Sequence, residues 1–329
     1  MLQNISFPLY GEVFQEYTDW DDLRREVAAL GCDGLEGIWG GEPFPEDFPS
    51  DLIQGYHLTF YPDWLDFYRE DNEALRRKFG SLDAAYSFYG GRGPQHLLEL
   101  YRDDLDRARA LGARYVVFHV SDVSIEEGYT YQWLHSDEDV LDASAEVINE
   151  LLRDVSPDFD FLVENQWWPG FTFTEPDKTA RLLDDIRYPR TGILLDTGHL
   201  MNTNPSIRTQ AEGIAYIRRQ LQMHGELSRR ILGVHWHQSV SGAYVRTHTG
   251  FLPEDLPADP MQRFAFSYAH ILQIDRHRPW TNPAAADLLD EIAPRYLTHE
   301  LSAAGRQARK RAVRRQIHTI QKGRDLHAE

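Results

Sequence analysis

The sequence has one cysteine, Cys32, in 329 residues. An internal disulfide is therefore excluded, and a reducing, cytoplasmic setting is the expectation. Only four lysines occur (Lys78, Lys178, Lys310 and Lys322), none at the end of an apolar run, which argues against a Schiff-base mechanism. No long apolar run is present, and the mean hydropathy is −0.52, so no membrane span is expected. The opening MLQNISFPLYGEVF lacks the basic start and apolar stretch of a signal peptide. No GxGxxG or Walker loop follows an apolar run, which weakens a doubly wound nucleotide-binding reading. Basic residues are also scarce. Lys and Arg number 34 against 52 acids, a net charge of −18. From Leu301 onward the charge is +6, leaving −24 on the first 300 residues. A body this acidic repels polyanions, so a nucleic-acid partner is not expected, whereas cations suit it.

Hydrophobic residues make up 42% and aromatics 12%, enough for a large core. Short apolar runs alternate with amphipathic stretches, the signature of βαβ units. The runs predict strands over 5–9, 34–38, 55–60, 115–120, 161–164, 192–196, 231–237 and 296–300. Helical patterns cover 20–30, 95–111, 137–153, 176–186, 206–223 and 284–292. Gly31 and Gly112 serve as stops, and Pro176, Pro260 and Pro283 stand at starts. Eight strands with intervening helices predict a (β/α)8 TIM barrel, one domain over 1–329, with a basic C-terminal helix at about 302–323. Two long connections, 61–94 after the third strand and 238–295 after the seventh, are expected to build the active-site rim.

The informative polar residues fall at the ends of the runs. GYHLTF carries His57 and YVVFHVS carries His119. FLVEN ends at Glu164, and GILLDTGH ends at Asp196 with His199 three residues on. GVHWHQS holds His235 and His237, and YLTHE ends at Glu300. In a barrel these ends share one mouth. Buried carboxylates are costly unless paired or bound to a cation, so their convergence points to a divalent ion. Each residue also has a structural reading. Asp196 could cap a helix, Glu300 could pair with an arginine, and His57, His119 and His235 could simply be packed. Glu164 is a poor cap beside Asn165.

With these motifs in this order, the chain resembles the xylose isomerase-like barrel superfamily, also called the AP endonuclease 2 family. The resemblance runs from GCDGLEGIW to THEL and rests on LVEN, LLDTGHL, GVHWHQS and THEL. It implies a metal held by Glu164, Asp196, His237 and Glu300, with His237 as the matching histidine of His235-Trp236-His237. It further implies that His199 contacts substrate or a further zinc. His57, His119 and His248 resemble extra zinc ligands of the endonuclease IV branch. That branch wants Asp two residues before the last of these, where this chain has Arg246, which weighs against a three-zinc cluster. The ketose 3-epimerases carry Glu and Arg where this chain has Gly170 and Ala243, which weighs against a plain ketohexose epimerase.

The expected activity is a divalent-metal-dependent isomerase or epimerase of carbohydrate metabolism, acting on a sugar or polyol-like small molecule. Glu164 and Glu300 would remove and return a proton next to a carbonyl. Asp196 and His237 would complete the metal shell, and His199 would bind a hydroxyl. Mn or Zn is the expected ion, with Co or Mg also compatible. Trp39, Tyr61, Trp64, Trp167, Trp168 and Trp236 lie at or beyond strand ends, where rings can stack on sugar faces. Arg246 is a further substrate-binding candidate. The alternative is a metal-dependent phosphoester hydrolase of the endonuclease IV type. A repurposed binding protein is a third reading, disfavoured by the intact acid pair. A homo-oligomer is compatible with the sequence and not specified by it.

Overall fold

Strands buried on both faces need no alternation, which is why the barrel staves read as unbroken apolar runs. The computed structural model describes residues 1–325. Its eight strands are β1 (Leu2–Leu9), β2 (Gly34–Trp39), β3 (Ile53–His57), β4 (Tyr115–His119), β5 (Asp160–Glu164), β6 (Thr191–Asp196), β7 (Ile231–His235) and β8 (Tyr296–His299). They pair in parallel in sequence order, and β8 closes on β1. This is the expected (β/α)8 barrel. The helices Trp20–Ala29, Gly93–Ala110, Asp137–Leu151, Pro176–Asp185, Gln210–His224 and Ala286–Ile292 lie between strands where the amphipathic stretches predict them.

The strand register sets the site. His119 is level with Glu164 across β4–β5, and Asp196 is level with His235 across β6–β7. Below them the barrel interior is filled by Tyr115, Val117, Leu162, Leu194 and Tyr296. Tyr115 and Tyr296 stack with centroids 4.2 Å apart. This apolar plug lowers the local dielectric beneath the mouth and strengthens the electrostatics there.

The two long connections are more ordered than their composition suggests. Residues 61–94 contain the helices Leu65–Tyr68, Asn72–Phe79 and Leu82–Tyr89. Asp71 caps the second by accepting the N–H groups of Glu73 and Ala74. Ser81 caps the third by accepting that of Ala84. Aromatic side chains glue these helices together, Phe67 stacking on Tyr89 at 4.1 Å. The second connection contains Gly242–His248 and a long helix, Pro260–Ile274. His270 anchors that helix by stacking on Tyr129 at 4.2 Å.

The C-terminal helix runs Arg306–Asp325. Its basic residues pair with the acidic body: Arg306 with Asp22 and Glu26, and Arg309 with Glu16. Among the described residues, no helix is long and apolar enough to cross a membrane.

Candidate metal centre

Six of the site side chains stand at the last residue of a strand or the one after it: His57, His119, Glu164, Asp196, His235 and Glu300. There the backbone leaves the sheet, and a polar side chain can face the mouth. The Asp196 carboxylate has two roles. Oδ1 accepts the His199 N–H at 2.6 Å, capping the short helix Thr197–Asn202. Oδ2 is left to face His237 Nε2 at 2.8 Å and His235 Nδ1 at 3.6 Å. Asp196 thus caps a helix with one oxygen and faces the mouth with the other.

Three groups of donor atoms lie in contact. In the first, His57 Nε2, His119 Nε2 and Glu164 Oε2 form a triangle with sides of 3.1, 3.1 and 3.2 Å. The second joins Glu164, Asp196, His235 and Glu300. His235 Nδ1 is 3.3 Å from Glu164 Oε1 and 3.0 Å from Glu300 Oε2. The third joins His199, His237, Asp275 and His277. Asp275 Oδ2 is 3.2 Å from both His199 Nε2 and His277 Nε2. Glu164 belongs to the first two groups through different oxygens, so they share a wall. Among the described residues no other donor groups of this kind occur.

These groups fit divalent ions. Ligands about 2.1 Å from a tetrahedral ion stand about 3.4 Å apart, close to the separations above. His237 Nδ1 is buried without a hydrogen-bond partner. Two imidazole nitrogens aimed at each other, as in His57 and His119, share at most one proton between them. The electrostatics agree. Burial would raise the carboxyls of Glu164 and Glu300, but the imidazoles of His119, His235 and His277 hold both well below the usual range. Burial would lower His277, yet Asp275 and Glu300 bring it up to about 9. His199 and His235 are raised well above their ordinary value by neighbouring carboxylates despite burial. Carboxylates held low beside imidazoles held high make a charge arrangement that a bound cation would satisfy.

The supports are as specific as the ligands. His235 Nε2 meets Glu36 Oε1 at 2.7 Å, while Glu36 Oε2 accepts Tyr115 OH at 2.6 Å and Thr298 Oγ1 at 2.8 Å. Asn165 clamps β5 to β6 by accepting the Asp196 N–H at 2.8 Å and donating to the Asp196 carbonyl at 3.1 Å. His277 has φ +43, an unusual backbone state for a histidine. It is held there because Arg278 and Gln238 exchange backbone hydrogen bonds. Gly198 must be glycine, since a Cβ there would overlap the His237 ring.

The structure changes several expected positions. His235, expected as the packed histidine, stands with Glu164, Asp196 and Glu300, whereas His237 joins His199, Asp275 and His277. The cause is height. β7 ends at His235, and His237, two residues beyond that end, stands with the upper layer. It keeps a contact with the lower layer through Asp196. His248 is exposed, stacked on Tyr244 at 4.0 Å, and belongs to no donor group. Arg246 is exposed and bonds the Pro205 carbonyl. The Asp-x-His pair that seemed broken at Arg246 is supplied instead by Asp275 and His277, which sequence reasoning missed. The signal was present in QIDRH, but it lies after the Pro260–Ile274 helix rather than directly after the strand.

Trp167 and Trp168 line the chamber above the cluster. Trp39 and Tyr61 do not: Arg107 covers the Trp39 ring at 3.7 Å, and Tyr61 packs edge-on against Tyr101 at 5.3 Å. Trp236 is buried against Trp280, and the buried Trp64 donates its indole N–H to the Ser121 carbonyl. The chamber measures about 510 Å³. Its floor is the donor cluster, and its roof is the Pro260–Ile274 helix with the 61–94 segment. Cys32 lies elsewhere, its buried thiol pushed up to about 12 by desolvation.

No curated protein sequence matches the chain. The family profile described as "Xylose isomerase-like TIM barrel" matches residues 24–281. Among solved structures, endonuclease IV from Thermus thermophilus is similar at 15% identity and a TM-score of 0.55, covering 98% of this chain and 100% of that one. A D-allulose 3-epimerase from Methylomonas sp. is similar at 12% identity and a TM-score of 0.53, covering 98% of each chain. An L-ribulose 3-epimerase is similar at 13% identity and a TM-score of 0.51, covering 99% and 97%. At these identities the likeness speaks for the fold.

Proposed function

The chain belongs to the xylose isomerase-like TIM-barrel family, and from that premise we propose that it is a multinuclear metal-dependent hydrolase of a phosphoester in a small molecule. One observation carries this reading: three donor groups abut, two of them joined through Glu164. An epimerase needs one ion, and the second group alone would hold it. His57, His119, His237, Asp275 and His277 have no expected role in that chemistry. The presence of Asp275 and His277 also removes the objection drawn from Arg246.

Divalent ions, when bound, would polarise a phosphoryl oxygen and make water nucleophilic at neutral pH. The chain's own residues do the rest. His57, His119 and Glu164 hold one position, Glu164, Asp196, His235 and Glu300 a second, and His199, His237, Asp275 and His277 a third. Histidine-rich sets with mixed oxygen donors favour zinc or manganese over calcium or magnesium. Glu300 faces His235 at 3.0 Å through Oε2 and would help hold the second position. Apolar walls exclude competing water.

The substrate is a small molecule rather than duplex DNA. Nucleic-acid affinity comes from neutralising phosphates with Lys and Arg. Here the cations lining the chamber are Lys78, already paired with Asp63 and Asp66, and Arg263, which donates to the Pro257 carbonyl. The 52 acids oppose a polyanion further.

Isomerase or epimerase chemistry is the second reading, supported by the second donor group and by Glu164 and Glu300 both facing His235. Against a ketose 3-epimerase stands Gly170. It has φ +123, and a Cβ there would meet the Val120 carbonyl oxygen at 2.5 Å, so a glutamate does not fit.

The test is hydrolysis of a panel of phosphomonoesters and diesters in ¹⁸O-water by the zinc- or manganese-loaded protein. Label in the released phosphate supports the proposal. Deuterium uptake beside a carbonyl from D₂O, without phosphoester cleavage, supports the epimerase reading instead.

A further inference from the structure

The chamber over the cluster is divided by chemistry. Titratable donors make its floor, while its walls are mostly apolar, including Phe60, Phe88, Trp167, Trp168, Phe264 and Ile271. A pocket of about 510 Å³ suits one small molecule, within the roughly 300–1,000 Å³ usual for ligand sites. Among the wall charges, Lys78 Nζ is 2.5 Å from Asp63 and 2.6 Å from Asp66, and Arg263 Nε donates to the Pro257 carbonyl.

The apolar walls are largely aromatic and start at the donors themselves. Phe60 stacks on His119 with centroids 4.9 Å apart at 28°. Trp167 lies 5.1 Å from His199 and 4.1 Å from Trp168. On the roof helix, Phe264 packs edge-on to Phe88 at 6.3 Å, and Ile271 packs on the cluster that holds Trp167 and Trp168 and closes the side toward Gly128. A flat ring attached directly to the reacting head would therefore meet π-faces at once. The Trp167 and Trp168 indole N–H groups, Tyr129 OH and Ser267 Oγ are buried without a partner, so the wall also offers polar contacts to substituents on that ring.

We propose that the organic group of the substrate is aromatic and packs against the wall made by Trp167, Trp168, Phe264 and Ile271, with its anionic head on the donor cluster. The head-group part rests on the phosphoester reading; the aromatic part rests on the walls alone.

The experiment measures binding of 1-naphthylphosphonate, methylphosphonate and uncharged 1-naphthol to the metal-loaded full chain, by calorimetry and tryptophan fluorescence. The expected result is naphthylphosphonate at least tenfold tighter than methylphosphonate, with quenching of tryptophan emission. In Phe264→Ser and Ile271→Ser, which lie away from the donors, that ratio should shrink to below about threefold. Equal affinity for the two phosphonates in the wild-type protein overturns the proposal. So does a ratio that both variants leave intact. If neither phosphonate binds but 1-naphthol does, with loss in both variants, the aromatic proposal stands and the phosphoester reading falls.

Discussion

His235 presents Nδ1 to the donor cluster and Nε2 to Glu36, 2.7 Å away. A carboxylate behind a ligating histidine fixes its tautomer and raises its basicity. Glu36 lies one layer below the mouth, itself held by Tyr115 and Thr298. Glu36→Gln should weaken metal binding at the group containing His235 by about 10- to 100-fold while the circular dichroism spectrum stays native. A competition titration with a chromophoric chelator measures it. Unchanged affinity would reduce Glu36 to a packing role.

Glu164 joins two donor groups through separate oxygens. Glu164→Gln should therefore lower the metal content by more than one site's worth and abolish turnover. Elemental analysis of the folded variant checks this. A variant with wild-type metal content and turnover would mean the site is misassigned.

Gly198 lies against the His237 ring with no room for a methyl group. Gly198→Ala should displace His237 and weaken the upper group while sparing the His57–His119–Glu164 group. Metal titration of the variant should show the loss confined to one class of site.

Asp122 reports on the rim. Its Oδ1 accepts the N–H groups of Trp64 and Leu65 at 2.8 and 2.9 Å, tying the 61–94 segment to the loop after β4. Burial and the Asp63 charge push its carboxyl up to about 7. An unfolded aspartate titrates near 3.9, so the folded protein binds more protons between about pH 4 and 7. Stability from this group is greatest below pH 4 and declines as pH rises through 7. Asp122→Asn keeps the acceptor oxygen and removes the charge. It should raise the melting temperature by a few degrees at pH 8 and change it little at pH 4. Equal shifts at both pH values would contradict the assignment.

The sequence carried the barrel well because strands covered on both faces cannot hide among polar residues. Glu164, Asp196 and Glu300 were equally legible as acids ending apolar runs. Other parts of the site depend on distances along the fold that spacing does not encode. Asp275 and His277 reach the mouth only because Gln238 and Arg278 pair across a helical excursion. Glu36 sits mid-strand between Leu35 and Gly37, and only closure of the barrel turns it toward His235. The exchange of His235 and His237 has a similar origin: both face the mouth, and the end of β7 decides which layer each one reaches.

The account depends most on the number of ions that one chain holds. Protein purified without chelator and dialysed against sub-stoichiometric zinc or manganese should retain two or three ions per chain by inductively coupled plasma mass spectrometry, and His277→Ala should lose one. A single ion per chain in both proteins would contradict the multinuclear centre and return the site to mononuclear chemistry.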